Sequence, residues 1–404
     1  MTTNNSFKWA IYLNFFVFAI LLNSVGIVIL KSINNYGVTE LKASTLELFK
    51  DMSVAAVSFL FASFIPRIGY KKTLLAGLGL VIVGLLQMYF GNSFFSSQIL
   101  FALVGASFGL VKVSVYGSIG LITSGEKEHN STMSTVEGVF MFGVALAYFL
   151  FPAFNEPGNP DAWLNVYLLL TGIVLLAFGF IVRIPELPKV SAKVNLIEEF
   201  RPMLGLITKL LVIVFVASAF LYVMIEQGIM TWLPTFNEKV LSLSEDNSIR
   251  MASILAITLG VGRILGGKLS EKLHWSIVLS IVIVCAMLMV AFVLPQALQK
   301  EISADPVTLL GLPIIAFIFP LVGLFIAPIY PLLNSVVLSA LPKDLHSPMT
   351  GLIVLFSATG GTLGSRITAY FFETLGGGAF YFTLVPMTLL LIAVFVLRKL
   401  TSKA

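Results

Sequence analysis

Charged side chains are scarce in this chain. It holds 25 Lys and Arg and 20 Asp and Glu in 404 residues, 11% of the whole, against roughly 25% in an ordinary soluble protein. Hydrophobic residues make up 58%, more than one soluble core can take in, and too little charge is left to keep a soluble surface dispersed. A soluble enzyme, a disordered chain and a secreted disulfide scaffold are thereby excluded. Cysteine is nearly absent as well: Cys285 is alone and lies in an apolar run, so no intramolecular disulfide framework and no Cys-based zinc site can form. The three histidines, His129, His274 and His346, fall in connections between apolar runs, and no His-based metal site or charge relay is expected. The sequence contains no Walker A loop, no HExxH and no GxSxG, and no segment is long enough for a nucleotide-hydrolysing domain. An enzyme, an ATP-driven pump and a resident cofactor or metal are not expected. The net charge of +5 is not gathered into a basic patch, which argues against nucleic acid and fits the Lys/Arg bias of cytoplasmic loops.

What the chain has is long apolar runs. A spanning helix needs about 20 mostly apolar residues, and twelve runs qualify, at about 9–30, 44–66, 73–91, 98–122, 132–153, 163–183, 209–234, 248–270, 275–296, 307–339, 348–372 and 379–398. They are continuous rather than alternating, which excludes a β-barrel. The expected class is an all-α membrane protein of twelve helices. The polar start, Met1 to Lys8, is followed by no small-residue cleavage site, so the first run is expected to be a retained span. The second run opens on Glu47, Lys50 and Asp51, which are expected at the aqueous helix end, with a cavity wall as the alternative. Placing both termini in the cytoplasm puts sixteen of the 25 cations on that side, six on the other, and three, Lys112, Arg263 and Arg366, inside spans. The positive-inside rule favours that orientation in a plasma (inner) membrane.

The longest charged connection, 184–208, divides the spans six and six, giving bundles over 1–183 and 209–404 joined by a cytoplasmic linker. Transporters built from parallel repeats have this arrangement. A local trace of the repeat follows the second and eighth spans: Pro66-Arg67-Ile68-Gly69-Tyr70-Lys71-Lys72 and Gly262-Arg263-Ile264-Leu265-Gly266-Gly267-Lys268. These turns resemble the loop signature Gly-x-x-x-Asp-Arg-x-Gly-Arg-Lys of the major facilitator superfamily, with Pro66 standing where that signature has Asp. The resemblance implies the two-bundle facilitator fold and a gating role for Arg67 and Arg263.

A narrower resemblance is to the fucose/glucose/galactose–proton symporter family. It rests on Gly109 to Lys112, on Glu137 with Phe142-Gly143, and on Ile329-Tyr330-Pro331. It implies sugar transport with proton coupling through carboxylates on the first and fourth spans. Here Asn23-Ser24-Val25 and Lys112 stand at those places, and Glu137 stands where a glutamine is expected.

Charge at bilayer depth costs about 2.5–3.5 kcal/mol on insertion scales and therefore marks cavities, partners or ligands. Lys112 either pairs with Glu137 or Glu226 as a helix tie or faces a substrate. Glu226, mid-span in the seventh run, is the foremost candidate for proton coupling, because a carboxylate in low dielectric can hold or release a proton according to the side it opens to. Glu137 is a second coupling and binding candidate, the alternative being a helix-start carboxylate. Gln227 is turned about 100° from Glu226. Gly228, Trp232 and Pro234 suggest a bent or broken half of the seventh span. Tyr116, Tyr222, Trp232 and Tyr330 offer an apolar ring with a polar edge, as sugar binding requires, though each type more often packs. Asn23 and Asn334 complete the binding set, and Arg366 is placed with Arg67 and Arg263 among gating groups, with substrate contact as its alternative. Pro328 and Pro331 free carbonyls in the tenth span that something must satisfy.

The expected function is a secondary active transporter, a monomer in the lipid bilayer, moving a small polar solute such as a sugar with protons by alternating access. An organic-anion transporter, an apolar-drug exporter and a membrane solute sensor without flux are the alternatives.

Overall fold

The structure is a computed structural model describing residues 3–61, 64–123, 125–183, 185–186, 205–299, 312–342 and 345–401. Most of the expected linker and the start of the tenth apolar run lie outside the described residues. Helices dominate the rest. The long ones are α1 (Ser6–Tyr36), α2 (Thr45–Phe61), α3 (Tyr70–Gly91), α4 (Phe94–Ile122), α5 (Glu126–Leu150), α6 (Asn165–Arg183), α7 (Leu210–Lys239), α8 (Glu245–Ser270), α9 (Trp275–Gln299), α10 (Ile315–Ser339), α11 (His346–Leu375) and α12 (Leu384–Thr401). Among the described residues ten segments are long and apolar enough to cross a membrane. Helix α2, at 17 residues, is not among them, and one 53-residue segment runs through both α11 and α12. The chain is a multi-pass membrane protein. Large exposed apolar side chains such as Phe90, Phe95, Phe142 and Phe292 are suited to lipid rather than water.

Sequence signals set the helix ends. Ser93 accepts from the Ser96 N–H at the start of α4, and Ser244 caps α8 with Glu245 and Asp246 in the first turn, where the helix dipole favours negative charge. Gly37 ends α1 in a left-handed conformation, φ +61°, which glycine adopts without a Cβ penalty.

The helices form two compact units. The first takes Met1–Val38 and Thr45–Leu196; the second takes Thr39–Ser44 and Ile197–Ala404. The same packing pattern is found inside each. In the first, α1 packs on α5 and α6, α2 on α4, and α3 on α4 and α6; in the second, α7 packs on α11 and α12, α8 on α10, and α9 on α10 and α12. Advancing the number by six converts one pattern into the other, as parallel repeats require. Residues 39–44 belong to the second unit through a Glu40–Lys239 ion pair and the Leu41 N–H donating 2.7 Å to Glu373.

Small residues permit these pairings. A Cβ on Gly105 of α4 would lie 2.3 Å from the Lys50 carbonyl of α2, and in the second unit one on Gly262 of α8 would lie 2.5 Å from the Leu324 carbonyl of α10. Likewise Gly143 of α5 meets the Phe16 carbonyl at 2.7 Å, and Gly364 of α11 meets the Met224 carbonyl at 2.3 Å. Each is a bare Cα seated against a neighbouring backbone oxygen, the close approach that drives helix pairing in lipid, where the hydrophobic effect does not.

Helix α10 is interrupted twice, once at Pro328 as expected and once at Pro320, while Pro331 lies inside a continuous stretch. A 3-10 turn covers Phe319–Leu321, and a second interruption separates Val322–Ile326 from Ile329–Ser339. The Thr258 hydroxyl of α8 lies 2.9 Å from the Pro320 carbonyl. Pro328 lacks the N–H that Leu324 would have received in an unbroken helix, and the Leu324 carbonyl faces Gly262 instead. Helix α7 is not broken: it is continuous from Leu210 to Lys239 through Gly228 and Pro234. Gly228 is filled by its neighbour, since a Cβ there would lie 2.9 Å from Thr368 Oγ1.

The charged opening of α2 also differs. Glu47 is fully buried and Lys50 nearly so, paired with each other, with Asp51 3.4 Å from the same ammonium. They are not at a solvated helix end, because the i, i+3 and adjacent placement lets one lysine neutralise its own helix's carboxylates. Lys31 is buried too: its ammonium donates 2.8 Å to Asn155 Oδ1 and lies 5.7 Å from the Trp163 ring centroid.

Candidate functional site

In the second unit, Tyr222 and Glu226 stand one turn apart on α7 and share a face. The Tyr222 hydroxyl donates to Glu226 Oε1 at 2.6 Å, and Arg263 Nη2 of α8 lies 3.5 Å from the same oxygen. Glu226 is 14% exposed and Arg263 43%. The Tyr222 ring stacks on Tyr330 of α10 with centroids 5.4 Å apart and planes 24° from parallel. The Tyr330 hydroxyl lies 3.4 Å from Ser357 Oγ of α11. One turn further along α10, Asn334 has a buried Oδ1 with no donor among the described residues. Four helices thus bring together a carboxylate, a guanidinium, two phenols, a serine and an amide.

The other residues singled out in this unit are placed differently. Gln227 points away from Glu226 along its own helix, where the Thr231 hydroxyl lies 3.5 Å from Oε1. Trp232 is fully enclosed: its indole N–H donates 3.0 Å to Ser365 and its face stacks on Phe372 at 5.6 Å. It ties α7 to α11 and leaves no edge or face for a ligand, because both are spent on protein. Arg366 is exposed and has no ion pair or hydrogen bond among the described residues.

In the first unit the site sits on α4. Phe108, Lys112 and Tyr116 follow at four-residue spacing and form one stripe. Tyr116 donates 2.7 Å to Glu137 Oε1 of α5. The half-buried Lys112 makes no ion pair with Glu137 or any other acid of its unit among the described residues; its ammonium lies 5.8 Å from the Phe108 centroid. A ring face at that distance supplies about 0.5–2 kcal/mol, more as the pair is desolvated, short of the roughly 2.5–3.5 kcal/mol that a lysine at bilayer depth costs. Phe108 in turn touches Phe15, Phe18 and Phe140 at centroid separations of 6.0, 5.6 and 6.2 Å, and Phe15 touches Tyr116 at 5.8 Å. Asn23 is turned back on its own helix, its amide donating 2.8 Å to the Ala19 carbonyl. Arg67 is exposed in the turn before α3.

The geometry therefore assembles two groupings, Tyr222–Glu226–Arg263–Tyr330–Asn334 and Lys112–Tyr116–Glu137. Sequence reading missed Ser357 and the phenylalanines behind Lys112. Ser357 opens the Ser-Ala-Thr-Gly-Gly run of α11, an interruption in apolar sequence that was its only signal. The phenylalanines gave none, being four among 34. The described residues contain no His, Cys, Asp and Glu cluster able to hold a metal.

The sequence pattern of the Major Facilitator Superfamily matches residues 9–365. No curated protein matches the chain. Among solved structures, the nucleoside transporter NupG is similar at TM-score 0.74 and 13% identity, over 98% of this chain and 100% of that one. A D-xylose–proton symporter is similar at 0.67 and 14%, over 97% and 96%. The E. coli fucose:proton symporter FucP is similar at 0.64 and 13%, over 96% and 98%. At such identities the likeness to these structures is one of fold, while the superfamily pattern covers most of the sequence. The chain is a transporter rather than an enzyme, and it belongs to the major facilitator superfamily.

Proposed function

We propose that the protein is a secondary active transporter that moves a small polar solute together with protons by alternating access across the plasma (inner) membrane. The observation that carries the coupling is the Glu226 carboxylate, mid-helix, with the Arg263 guanidinium 3.5 Å away and the Tyr222 hydroxyl at 2.6 Å. An ionised Glu226 holds Arg263; a protonated one releases it, so proton uptake and the freedom of a gating arginine become one event. The sugar–proton symporters among the similar folds support a hydroxylated solute.

Twelve spans with both termini cytoplasmic complete the reading. Dividing the 53-residue segment at Gly376–Thr383 and counting α2 adds two to the ten apolar segments; 17 residues rise about 26 Å, short but within the range of a span. The bundles are 1–183 and 209–404, joined by 184–208, and the protein works as a monomer. Lys112, Tyr116, Glu137, Tyr330 and Asn334 contact the solute, with Asn23 and Gln227 at the margins. Arg67, Arg263 and Arg366 gate.

The test is uptake by purified protein in liposomes. Solute addition should acidify the lumen, and Glu226→Gln should abolish that while solute exchange across the membrane survives. Coupling at the parental level in the variant would remove Glu226 from the mechanism. Solute binding without flux in the parent would leave a sensor.

A further inference from the structure

Two cations of the spans have no ion pair among the described residues, the exposed Arg366 and the half-buried Lys112, and burial sets Lys112 apart. Lys50 has Glu47 and Asp51, Arg263 has Glu226, and Lys31 has the Asn155 oxygen and the Trp163 face. Lys112 has a phenylalanine ring at 5.8 Å and no carboxylate at ion-pair distance among the described residues. The acid that acts on it is Glu137, whose Oε1 accepts from the Tyr116 hydroxyl at 2.7 Å. The remaining Glu137 oxygen has no donor among the described residues, and the side chain is exposed. Behind these polar groups Phe15, Phe18 and Phe108 are buried, and the ammonium has the Phe108 ring on one side.

We propose that Lys112, Tyr116 and Glu137 form an anion subsite in the first unit, and that the transported solute is a hydroxylated monocarboxylate, a sugar acid or a smaller hydroxy acid. Its carboxylate supplies the counter-charge that Lys112 lacks. Its hydroxyls donate to the open Glu137 oxygen, since an ionised carboxylate can only accept. A neutral sugar would leave the ammonium unmatched. A dianion such as a phosphate ester would set its second charge against Glu137. This assignment rests on the transporter reading and names the substrate class of that site.

Two measurements test it on the detergent-purified full chain. The first needs no ligand. If Lys112 waits for a counter-charge, Lys112→Met removes an unmatched ion, and the empty protein melts at the same temperature or higher. A clear fall in melting temperature would show the lysine to be a structural tie and overturn the proposal. The second compares acids with neutral counterparts: D-glucuronate with D-glucose, D-galacturonate with D-galactose, D-gluconate with D-sorbitol, and D-glycerate with glycerol. At least one acid should raise the melting temperature above its counterpart. Lys112→Met should weaken that acid's binding by about tenfold or more, and Lys112→Arg should keep most of it. Equal stabilisation by both members of every pair, or by none, overturns the proposal. Counterflow in liposomes separates the two readings. Flux confined to neutral sugars removes the anion subsite and keeps the transporter, whereas acid binding with no flux keeps the subsite and removes the transporter.

Discussion

Arg263 Nη2 stands 3.5 Å from Glu226 Oε1, so the two charges of α7 and α8 that sequence reading assigned to separate tasks form one pair. Arg263 is 43% exposed, which places the pair near exposed ion pairs worth about 0–1 kcal/mol. Arg263→Met should therefore change the melting temperature little while uncoupling solute flux from proton uptake. A loss of several degrees with coupling intact would mean that the pair holds the helices together and does nothing else.

Tyr222 makes a second link to the same carboxylate. Tyr222→Phe deletes the 2.6 Å hydrogen bond to Glu226 and keeps the ring stacked on Tyr330; a bond to a charged group contributes about 1.5–3 kcal/mol. Tyr222→Ala removes the stack as well, with about 0.5–1.5 kcal/mol for the ring pair and a further cavity cost of about 3–5 kcal/mol, as for a buried aromatic. Melting temperature should fall in the order parent, Phe, Ala, and proton coupling should already weaken in the Phe variant. Full coupling in Tyr222→Phe would show that the phenol only packs.

Much of this fold was legible from composition and run length, because the bilayer imposes a helix wherever some 20 apolar residues run together. The break of α10 at Pro328 was legible too, since proline acts through its own backbone. The continuity of α7 was not. Pro234 predicts a break locally, but the helix is held by packing on α11 at Gly360 and Gly364, with Trp232 bonded to Ser365. Of the site, Glu226 and Lys112 were legible as charges in apolar sequence. Their partners were not, because Arg263 reaches Glu226 across helices and the missing partner of Lys112 is a fact of three-dimensional placement. Trp232 was misread for the same reason: sequence shows an amphipathic ring but not that both its edge and its face are spent.

The glycine contacts give a stability test with an internal control. Gly105→Val and Gly364→Val put side-chain carbon within 2.3 Å of a neighbouring carbonyl, which must move, and overpacking of this kind costs about 1–3 kcal/mol. Gly79 and Gly172 lie within helices and have open space where a Cβ would go. Alanine at either should be neutral or stabilising by up to about 1 kcal/mol. Melting curves in one detergent would show the ranking, and equal losses at all four sites would mean that close approach is not what these glycines provide.

The buried charges of α2 allow a sharper test, because removing one member of such a group is worse than removing several. Lys50→Met leaves Glu47, fully buried, and Asp51 facing each other without a cation. An uncompensated buried charge costs about 3–5 kcal/mol, a large fraction of the 5–15 kcal/mol by which a folded protein is stable. The single variant should accumulate poorly and melt far below the parent. Glu47→Gln with Lys50→Met replaces the closest pair by a neutral amide and a thioether of similar volume, leaving the partly exposed Asp51 as the one acid of the group. The double variant should recover a substantial part of the loss, and the non-additivity should exceed about 1 kcal/mol, as for groups in direct contact. Additive losses would mean that the two side chains do not interact in the folded membrane protein.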